Sequence, residues 1–442
     1  MVQHIKRLLF GTAVVILLGW PGTGSTQAQD NAQEVVILEA SGPVVPPFAA
    51  YIRRGLQEAD ARNAEAVILM LDTPGGSAAV TLELVRDIRT SDVPVIVFVA
   101  PRGAKAASAG LLITLAGHAA AMAPDTAIGA SSPVGPQGED LGSTLQEKEE
   151  QYLSAQARSL AERRGEEAVR IASEAVTEAR AVSASEALAA HLIDLIAEDV
   201  DDLLTQLDGF AVEVNGEVRI LHTRGTVPYS VPMSELERVL MLLTDPNIVF
   251  LLMSIGTTAI IVEIRTPGGW VAGAIGTVCL GLALYGLGVL PVNWLGIIFV
   301  VLAFVLFVME IKAPVHGALT AAGIVSLAAG AIILFNQPQI APFGRLSIPL
   351  VVGQSLFLGA IFAFLVVMAL RAQARKPTTG YEGLIGQVGR VVEDLDPLGL
   401  VLVWGERWQA ESVDRQTIPT GSEVEVVEAR GMRLRVRRKG DR

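Results

Sequence analysis

Five long apolar segments between residues 247 and 370 constrain the fold of this chain more than any other feature of its sequence. A helix needs about 20 apolar residues to cross roughly 30 Å of hydrocarbon. The mean hydropathy of the whole chain, +0.47, is also too high for an ordinary soluble enzyme. We therefore predict five transmembrane helices, at about residues 247–262, 270–290, 293–310, 315–335 and 348–370. The first of them is short for a span.

Positive charges near the ends of these segments predict the orientation of the chain, because lysine and arginine collect on the cytoplasmic side of membrane proteins. The flanking cations that fall on one side are Arg265, Lys312, Arg371, Arg375 and Lys376. Arg345 is the exception. The sequence thus predicts a multi-pass protein of the cell (inner) membrane, with the domain before the spans outside the cytoplasm and the segment after them inside.

The N-terminus has the pattern of a secretory signal. Lys6 and Arg7 precede a short apolar stretch, Leu8 to Trp20, and small and polar residues follow it. Thr26-Gln27-Ala28 is a suitable cleavage site, so we predict a signal peptide over residues 1–28. An uncleaved anchor helix is the alternative. Both interpretations place the next domain outside the cytoplasm.

Residues 29–210 have the pattern of an α/β domain. Buried strands are predicted at Glu34–Glu39, Ala66–Leu71 and Val95–Val99, because these runs are continuously apolar or nearly so. Helical spacing is found between them, at Pro46–Ala61 and Val80–Ile88. This alternation predicts parallel strands joined by helical crossovers, with ligands bound at the C-terminal ends of the strands.

The remaining segments are a transition and a small β domain. Residues 211–246 are interpreted as a linker, with a hairpin turn at Asn215-Gly216. Residues 380–442 contain several short strand patterns separated by turn residues, which predicts a small barrel of the OB type. A nucleic-acid partner is not expected, because 46 acidic residues outnumber 34 basic ones and the barrel lacks a row of stacking aromatics. Contact with another protein is the expected role.

Two short motifs follow neighbouring strands at the predicted ligand-binding edge. Asp72-Thr73-Pro74-Gly75-Gly76 offers two adjacent backbone N–H groups without side-chain bulk, at Gly75 and Gly76. Ala106-Ala107-Ser108-Ala109-Gly110 offers one hydroxyl, on Ser108, among small residues. A nucleophile and an anion-binding loop are both needed for acyl transfer. Each motif alone is also compatible with an ordinary turn or helix start.

A serine nucleophile needs a base, and lysine can serve once its amine is neutral. The extracytoplasmic domain has only two lysines, Lys105 and Lys148, besides His118, His191 and His222. We favour Lys148, whose helix can fold back over the strand ends, although its acidic neighbours are equally typical of a solvated lysine. The single cysteine, Cys279, excludes an intrachain disulfide and a cysteine-based metal site, and the histidines lack ligand spacing. We expect no metal and no cofactor.

As a set, the motifs resemble the long form of the NfeD family, membrane-bound serine proteases related to ClpP and signal peptide peptidase A. The resemblance covers nearly the whole chain and rests on four stretches: Leu71–Gly76, Ala106–Gly110, Met122–Ala130 and Arg158–Gly165. It implies a ClpP/crotonase-like fold and a Ser–Lys dyad. The serine falls on Ser108 and the lysine on Lys148. The oxyanion loop falls on Gly75 and Gly76, with Ala109 as a further donor. Gln151 departs from the family, which often has asparagine there.

The sequence therefore predicts a membrane-anchored serine endopeptidase in which Ser108 attacks the peptide and Lys148 carries the proton. The resemblance implies a peptide substrate with an apolar segment in a stomatin-like membrane protein. We also expect contact with membrane lipid and a homo-oligomer. The alternative is a non-catalytic membrane scaffold that binds and organises a stomatin-like partner. A transporter is disfavoured because the spans hold few charges.

Overall fold

The structure, a computed structural model, describes residues 34–131, 143–265, 268–312, 317–336, 342–373 and 381–440. The predicted signal segment, residues 1–28, lies outside the described residues. The chain divides into two compact units: one holds residues up to 293 together with 335–346, and the other holds residues 294–334 and everything from 347 onward. Each unit is described by itself.

The first unit begins with an α/β domain. Its elements are β1 (Glu34–Ser41), α1 (Pro46–Ala61), β2 (Ala66–Asp72), α2 (Ala78–Arg89), β3 (Val95–Val99), β4 (Lys105–Ala107), α3 (Ala109–Ala116), β5 (Ala119–Met122), β6 (Ala127–Gly129), α4 (Ser143–Ala161), α5 (Glu166–Thr177), β7 (Ala181–Ser183), α6 (Ala184–Ala189), β8 (Leu195–Ile196), α7 (Val200–Leu207), β9 (Ala211–Val214), β10 (Glu217–Ile220), β11 (Val227–Ser230) and α8 (Glu235–Leu242).

Six strands form the main sheet in the order β11-β1-β2-β3-β5-β8, and every neighbouring pair is parallel. All five residues of β3 are buried, as expected for a strand covered on both faces. A second sheet of three short strands, β4-β6-β7, stands beside it. The predicted α/β class and its parallel sheet are confirmed.

Three strands of the main sheet, β5, β8 and β11, were not predicted from the sequence. The strand β5 consists of Ala-Ala-Ala-Met, which has no β-branched or aromatic residue to indicate a strand. The strand β11 contains a proline and lies at the sheet edge, where proline is tolerated. Because β11 pairs with β1, residues 211–246 are more than the predicted linker: the sheet extends past residue 210. The predicted hairpin at Asn215-Gly216 joins β9 to β10.

Five described helices are long and apolar enough to cross a membrane. They are α9 (Pro246–Arg265), α10 (Val271–Val289), α11 (Trp294–Lys312), α12 (Ala318–Phe335) and α13 (Ile348–Gln373). The helix α9 has 20 residues, so the prediction of a short first span was wrong at its C-terminal end. The pair α9–α10 belongs to the first unit, and α11–α13 belong to the second.

A carboxylate binds the start of the next helix at two of the joints between spans. Glu263, in the last turn of α9, accepts hydrogen bonds from the backbone N–H groups of Trp270 and Gly273, both at 3.2 Å. Glu310, in the last turn of α11, accepts them from Gly317 and Leu319 at 2.9 Å and from Thr320 at 3.1 Å. Both glutamates therefore satisfy amides that a helix N-terminus leaves unpaired.

The second unit ends in a closed barrel of five strands. They are β12 (Val388–Glu393), β13 (Leu398–Val403), β14 (Glu406–Ser412), β15 (Glu423–Arg430) and β16 (Arg433–Arg438). Their order around the barrel is β12-β13-β14-β16-β15, and β14 and β16 run parallel. Eleven buried residues, among them Val401, Val424 and Leu434, fill the interior. The predicted OB-type barrel is confirmed.

Candidate active site

Ser108 occupies a strained joint between β4 and α3. Its backbone has φ 52° and ψ −110°, outside the regions that a serine ordinarily adopts. Such a conformation costs of order 1–3 kcal/mol and persists only where the surroundings enforce it. Here the Ser108 N–H donates to the carbonyl of Gly129 at 2.9 Å, and all eight residues of α3 are buried. The joint therefore holds the hydroxyl at the end of a rigid helix.

The glycine loop after β2 is fastened to the same joint. Thr73 donates its N–H to the carbonyl of Lys105 at 2.7 Å and accepts from the N–H of Ala107 at 3.0 Å. A Cβ added to Gly75 would lie 2.8 Å from Ser108 Cβ and 3.3 Å from Ser108 Oγ. Gly75 also has φ +111°, which favours glycine. The two sequence motifs thus meet, and only a residue without a side chain fits where they meet.

The three predicted oxyanion donors differ in what their N–H groups do. The N–H of Gly75 donates to Thr73 Oγ1 at 3.1 Å. Within the described part of the chain, the N–H groups of Gly76 and Ala109 donate no hydrogen bond. Ala109 is the first residue of α3, where amides are unpaired and the helix dipole is positive. Gly76 and Ala109 are thus the donors available to a new acceptor.

Thr73 is a site residue that sequence reasoning did not select. Its side chain is fully buried, and its hydroxyl holds both the N–H and, at 3.3 Å, the carbonyl of Gly75. Its methyl group lies against the second residue of α3, since a Cβ added to Gly110 would be 2.8 Å from Thr73 Cγ2. Its position between Asp72 and Pro74, inside the motif, was the only signal available in the sequence.

Neither lysine forms a buried pair with Ser108 in this structure. Lys105 lies on β4 with an exposed side chain, and its backbone N–H donates to Asp72 Oδ1 at 3.1 Å. Lys148 lies in the second turn of α4 and is exposed, and its side chain has no hydrogen bond or ion pair with any described residue. The buried residues of α4, including Leu153 and Ala157, lie on the other side of the helix. Residues 132–142, just before α4, are outside the described ranges.

The histidines of this domain are not at the strand ends that carry Ser108. His118 is buried, and its Nδ1 accepts a hydrogen bond at 3.0 Å from the N–H of Val95, the first residue of β3. Burial, and then the nearby guanidinium groups of Arg89 and Arg163, lower the pKa of His118 to about 4. The side chains of His191 and His222 are exposed. His118 is therefore a neutral structural residue at the opposite end of the strands.

Comparison with protein families assigns each part of the chain. The N-terminal domain of NfeD1b matches residues 34–212. The NfeD integral membrane domain matches residues 247–368, and the NfeD-like C-terminal, partner-binding domain matches residues 381–438. These ranges coincide with the α/β domain, the five apolar helices and the barrel.

Two full-length relatives and one solved structure are similar to the chain. A membrane-bound protease of Pyrococcus horikoshii is 34% identical over 440 residues, which cover 97% of each chain. The membrane protein NfeD1b of Bacillus subtilis is 25% identical over 468 residues, covering 99% of each. A solved structure, the 1510-N membrane protease of Pyrococcus horikoshii specific for a stomatin homolog, is 32% identical with a TM-score of 0.42; the match covers 48% of this chain and 99% of that one.

Proposed function

The chain belongs to the NfeD family of membrane proteins, and from that premise we propose that it is a membrane-anchored serine endopeptidase whose nucleophile is Ser108. The observation that carries the proposal is the contact between the glycine loop and the strained serine. Gly75 approaches Ser108 so closely that any side chain on Gly75 would meet it. A close approach of loop and hydroxyl, with free amides beside them, is what an acyl-transfer site requires.

The proposed first step is attack of Ser108 Oγ on the scissile carbonyl. The carbonyl oxygen gains negative charge as the tetrahedral intermediate forms, and the N–H groups of Gly76 and Ala109 stabilise it. Removing one such donor typically costs about 10²–10³ in rate. Gly75 is the third predicted donor. Its N–H would leave Thr73 Oγ1 and donate to the oxyanion instead.

Lys148 is the proposed base. It takes the proton of Ser108 as the bond to the carbonyl carbon forms, and it returns that proton to the leaving amine. A lysine acts as a base only when neutral, and desolvation favours the neutral form. Since Lys148 is exposed in this structure, the proposal includes burial of its amine when a peptide lies between α4 and the glycine loop. Gln151, one turn further along α4, takes the place of the family's usual asparagine.

We propose an apolar segment of a stomatin-like membrane protein as the substrate. Two findings support such a partner: a relative of 34% identity is a membrane-bound protease, and the barrel matches a partner-binding domain. The barrel would then hold the partner, while the α/β domain cleaves it. We retain the proposal of a homo-oligomer, in which several sites act on one membrane assembly.

The experiment that tests the proposal compares single variants of the full-length protein in lipid nanodiscs, with an apolar peptide as substrate and products identified by mass spectrometry. Ser108→Ala should abolish cleavage, while Ser91→Ala, at a partly buried serine on the other side of the domain, should not. Lys148→Ala should lose at least about a hundredfold in rate, the lower end of what a general base contributes, and Lys105→Ala should change little.

Each outcome of that comparison has a separate meaning. Equal activity of Ser108→Ala and the wild type would remove Ser108 from the mechanism. An inactive Lys105→Ala beside an active Lys148→Ala would reassign the base but keep the protease. A wild type without any cleavage would favour the alternative, a scaffold that binds a stomatin-like partner through the barrel.

A further inference from the structure

The helix α8, just before the first span, has an apolar face that no described residue covers. Leu236, Val239 and Leu242 are 68%, 46% and 55% exposed. Their spacing places all three on one side of the helix. A capping box between Ser234 and Glu237 fixes the start of α8, so it is a well-formed helix rather than a frayed connection. Three large apolar residues exposed on one short helix indicate that this face contacts an apolar surface.

The opposite face of α8 is docked on the α/β domain. Arg54 of α1 forms a two-point ion pair with Glu237, at 2.9 and 2.7 Å. Met233, just before α8, and Met241 pack against the main hydrophobic core. These contacts set the rotation of α8 about its axis. The exposed apolar face is therefore a fixed surface of the domain.

The C-terminal end of α8 lies next to the apolar helices α9 and α10. Only residues 243–245 separate α8 from α9. A Cβ added to Gly286 would lie 2.6 Å from the carbonyl oxygen of Leu243 and 2.4 Å from Val249 Cγ2. Gly286 is almost a full turn inside the end of α10 at Val289, and Val289 itself packs against the core of the α/β domain. The domain thus rests directly on this end of the α9–α10 hairpin.

We propose that α8 is an interfacial helix, whose Leu236, Val239 and Leu242 lie in the headgroup and upper acyl region of the bilayer that α9 and α10 cross. The occupant of the apolar face is lipid because only residues 243–245 join the helix to a span and because the carbonyl of its C-cap residue, Leu243, lies against Gly286, inside the end of α10. Amphipathic helices lie in a membrane surface with the apolar face in the lipid, and in α8 the opposite face is held by the α/β domain.

This placement brings the membrane close to the candidate active site. The terminal methyl group of Met241 lies close to Gly42, because a Cβ added to Gly42 would be 3.2 Å from Met241 Cε. Two residues further, Val44 donates its N–H to the carbonyl of Gly75 at 2.8 Å. One loop therefore separates the membrane-bound helix from the proposed oxyanion loop. This inference rests on the proposed function and adds where the substrate comes from. The substrate is a peptide segment that leaves the bilayer surface, rather than one free in solution.

A fluorescence experiment tests the lipid contact without depending on any enzymatic activity. In full-length protein, Cys279→Ser removes the only cysteine. Val239→Cys is then labelled with a polarity-sensitive fluorophore, and Val218→Cys serves as the control, because Val218 is also an exposed valine, 75% against 46%, and lies on β10. In nanodiscs with nitroxide lipids, the label at 239 should lose most of its emission and the label at 218 should keep it. Iodide in the buffer should quench only the label at 218.

Quenching of both labels by iodide, with none by nitroxide lipid, would overturn the proposal because α8 would lie in water. Protection of the label at 239 from both quenchers would also overturn it, in favour of a second copy or another protein on this face.

An activity measurement tests the consequence for substrate choice. Leu236→Glu with Val239→Glu should lower cleavage of a peptide anchored in the same nanodisc by about tenfold or more, since misplacement of a site costs rate. Cleavage of a soluble peptide should be unchanged. Equal loss for both peptides would contradict the inference, whereas a wild type inactive on both would count against the proposed protease and leave the fluorescence result standing.

Discussion

At the scale of single residues, Gly75 is the position where an added side chain should disturb Ser108 most directly. Gly75→Ala adds a Cβ that would lie 2.8 Å from Ser108 Cβ, on a backbone with φ +111°. We expect the loop to move away from the serine and peptide cleavage to fall by at least about a hundredfold, as when an oxyanion donor is lost. Steady-state rates on an apolar peptide measure this.

Gly103→Ala is the matched control. Gly103 also has a positive φ, +82°, but nothing lies within 4 Å of an added Cβ. Both variants pay about 1 kcal/mol or more for alanine in that backbone conformation, so both should melt slightly earlier. Only Gly75→Ala should lose activity. Similar activity of the two variants would mean that the contact with Ser108 has no catalytic role.

His118 predicts a pH dependence of stability. Its pKa is about 4 in the folded protein, because burial and the nearby Arg89 and Arg163 disfavour the charged ring, against 6.5 in the unfolded chain. Between these values the unfolded state binds more protons, so the free energy of unfolding falls as the pH drops from 6.5 to 4. The loss attributable to this one group is about 3 kcal/mol.

His118→Asn isolates this effect, because the amide oxygen of asparagine can still accept the Val95 N–H while the side chain no longer titrates. The difference in melting temperature between wild type and variant should shrink or reverse as the pH falls from 6.5 to 4. A difference that stays constant over that window would show that His118 does not titrate between the two states.

At the scale of elements, the sequence predicted the helices and strands whose pattern can be seen within a short stretch of residues. The continuous apolar runs of β2 and β3 and the spacing of α1 were sufficient, because burial on two faces and helical periodicity are both visible in a short window. The strand β11 was not predicted, because only its pairing with β1 makes it a strand.

The candidate site was likewise predicted only where its pattern is local in the sequence. Ser108, Gly75 and Gly76 were predicted from small residues placed after two strands, and the structure brings the two motifs into contact. The role of Thr73 depends on side-chain hydrogen bonds across a loop, which no sequence pattern reports. The exposure of Lys148 depends on how α4 packs, so its part in a dyad stays a prediction.

The helix joint at Glu310 yields a prediction at this scale. Glu310 is 1% exposed and accepts three backbone N–H groups at the start of α12, whereas Glu263 is only partly buried and accepts two at the start of α10. Hydrogen bonds to a charged group contribute about 1.5–3 kcal/mol each when buried. Glu310→Gln should therefore lower the melting temperature in detergent more than Glu263→Gln. The reverse order would contradict the capping role.

At the scale of the whole molecule, an odd number of spans would place the domains before and after them on opposite sides of the membrane, and the flanking cations predict which side is cytoplasmic. The five apolar helices and the similarity to membrane-bound relatives make the chain a multi-pass membrane protein. With five crossings, a reporter fused after Asp245 should be active only outside the cytoplasm, and one fused after Arg442 only inside. The same compartment for both would mean that an even number of helices crosses the membrane.

Covalent trapping shows whether Ser108 is the nucleophile of a serine endopeptidase. Full-length protein in nanodiscs is treated with a peptide phosphonate that reacts only with activated serines, digested and mapped by tandem mass spectrometry. We expect one adduct, on Ser108, which is absent from Ser108→Ala and blocked by excess apolar peptide. An adduct on another serine, or continued peptide cleavage by protein without any adduct, would contradict it.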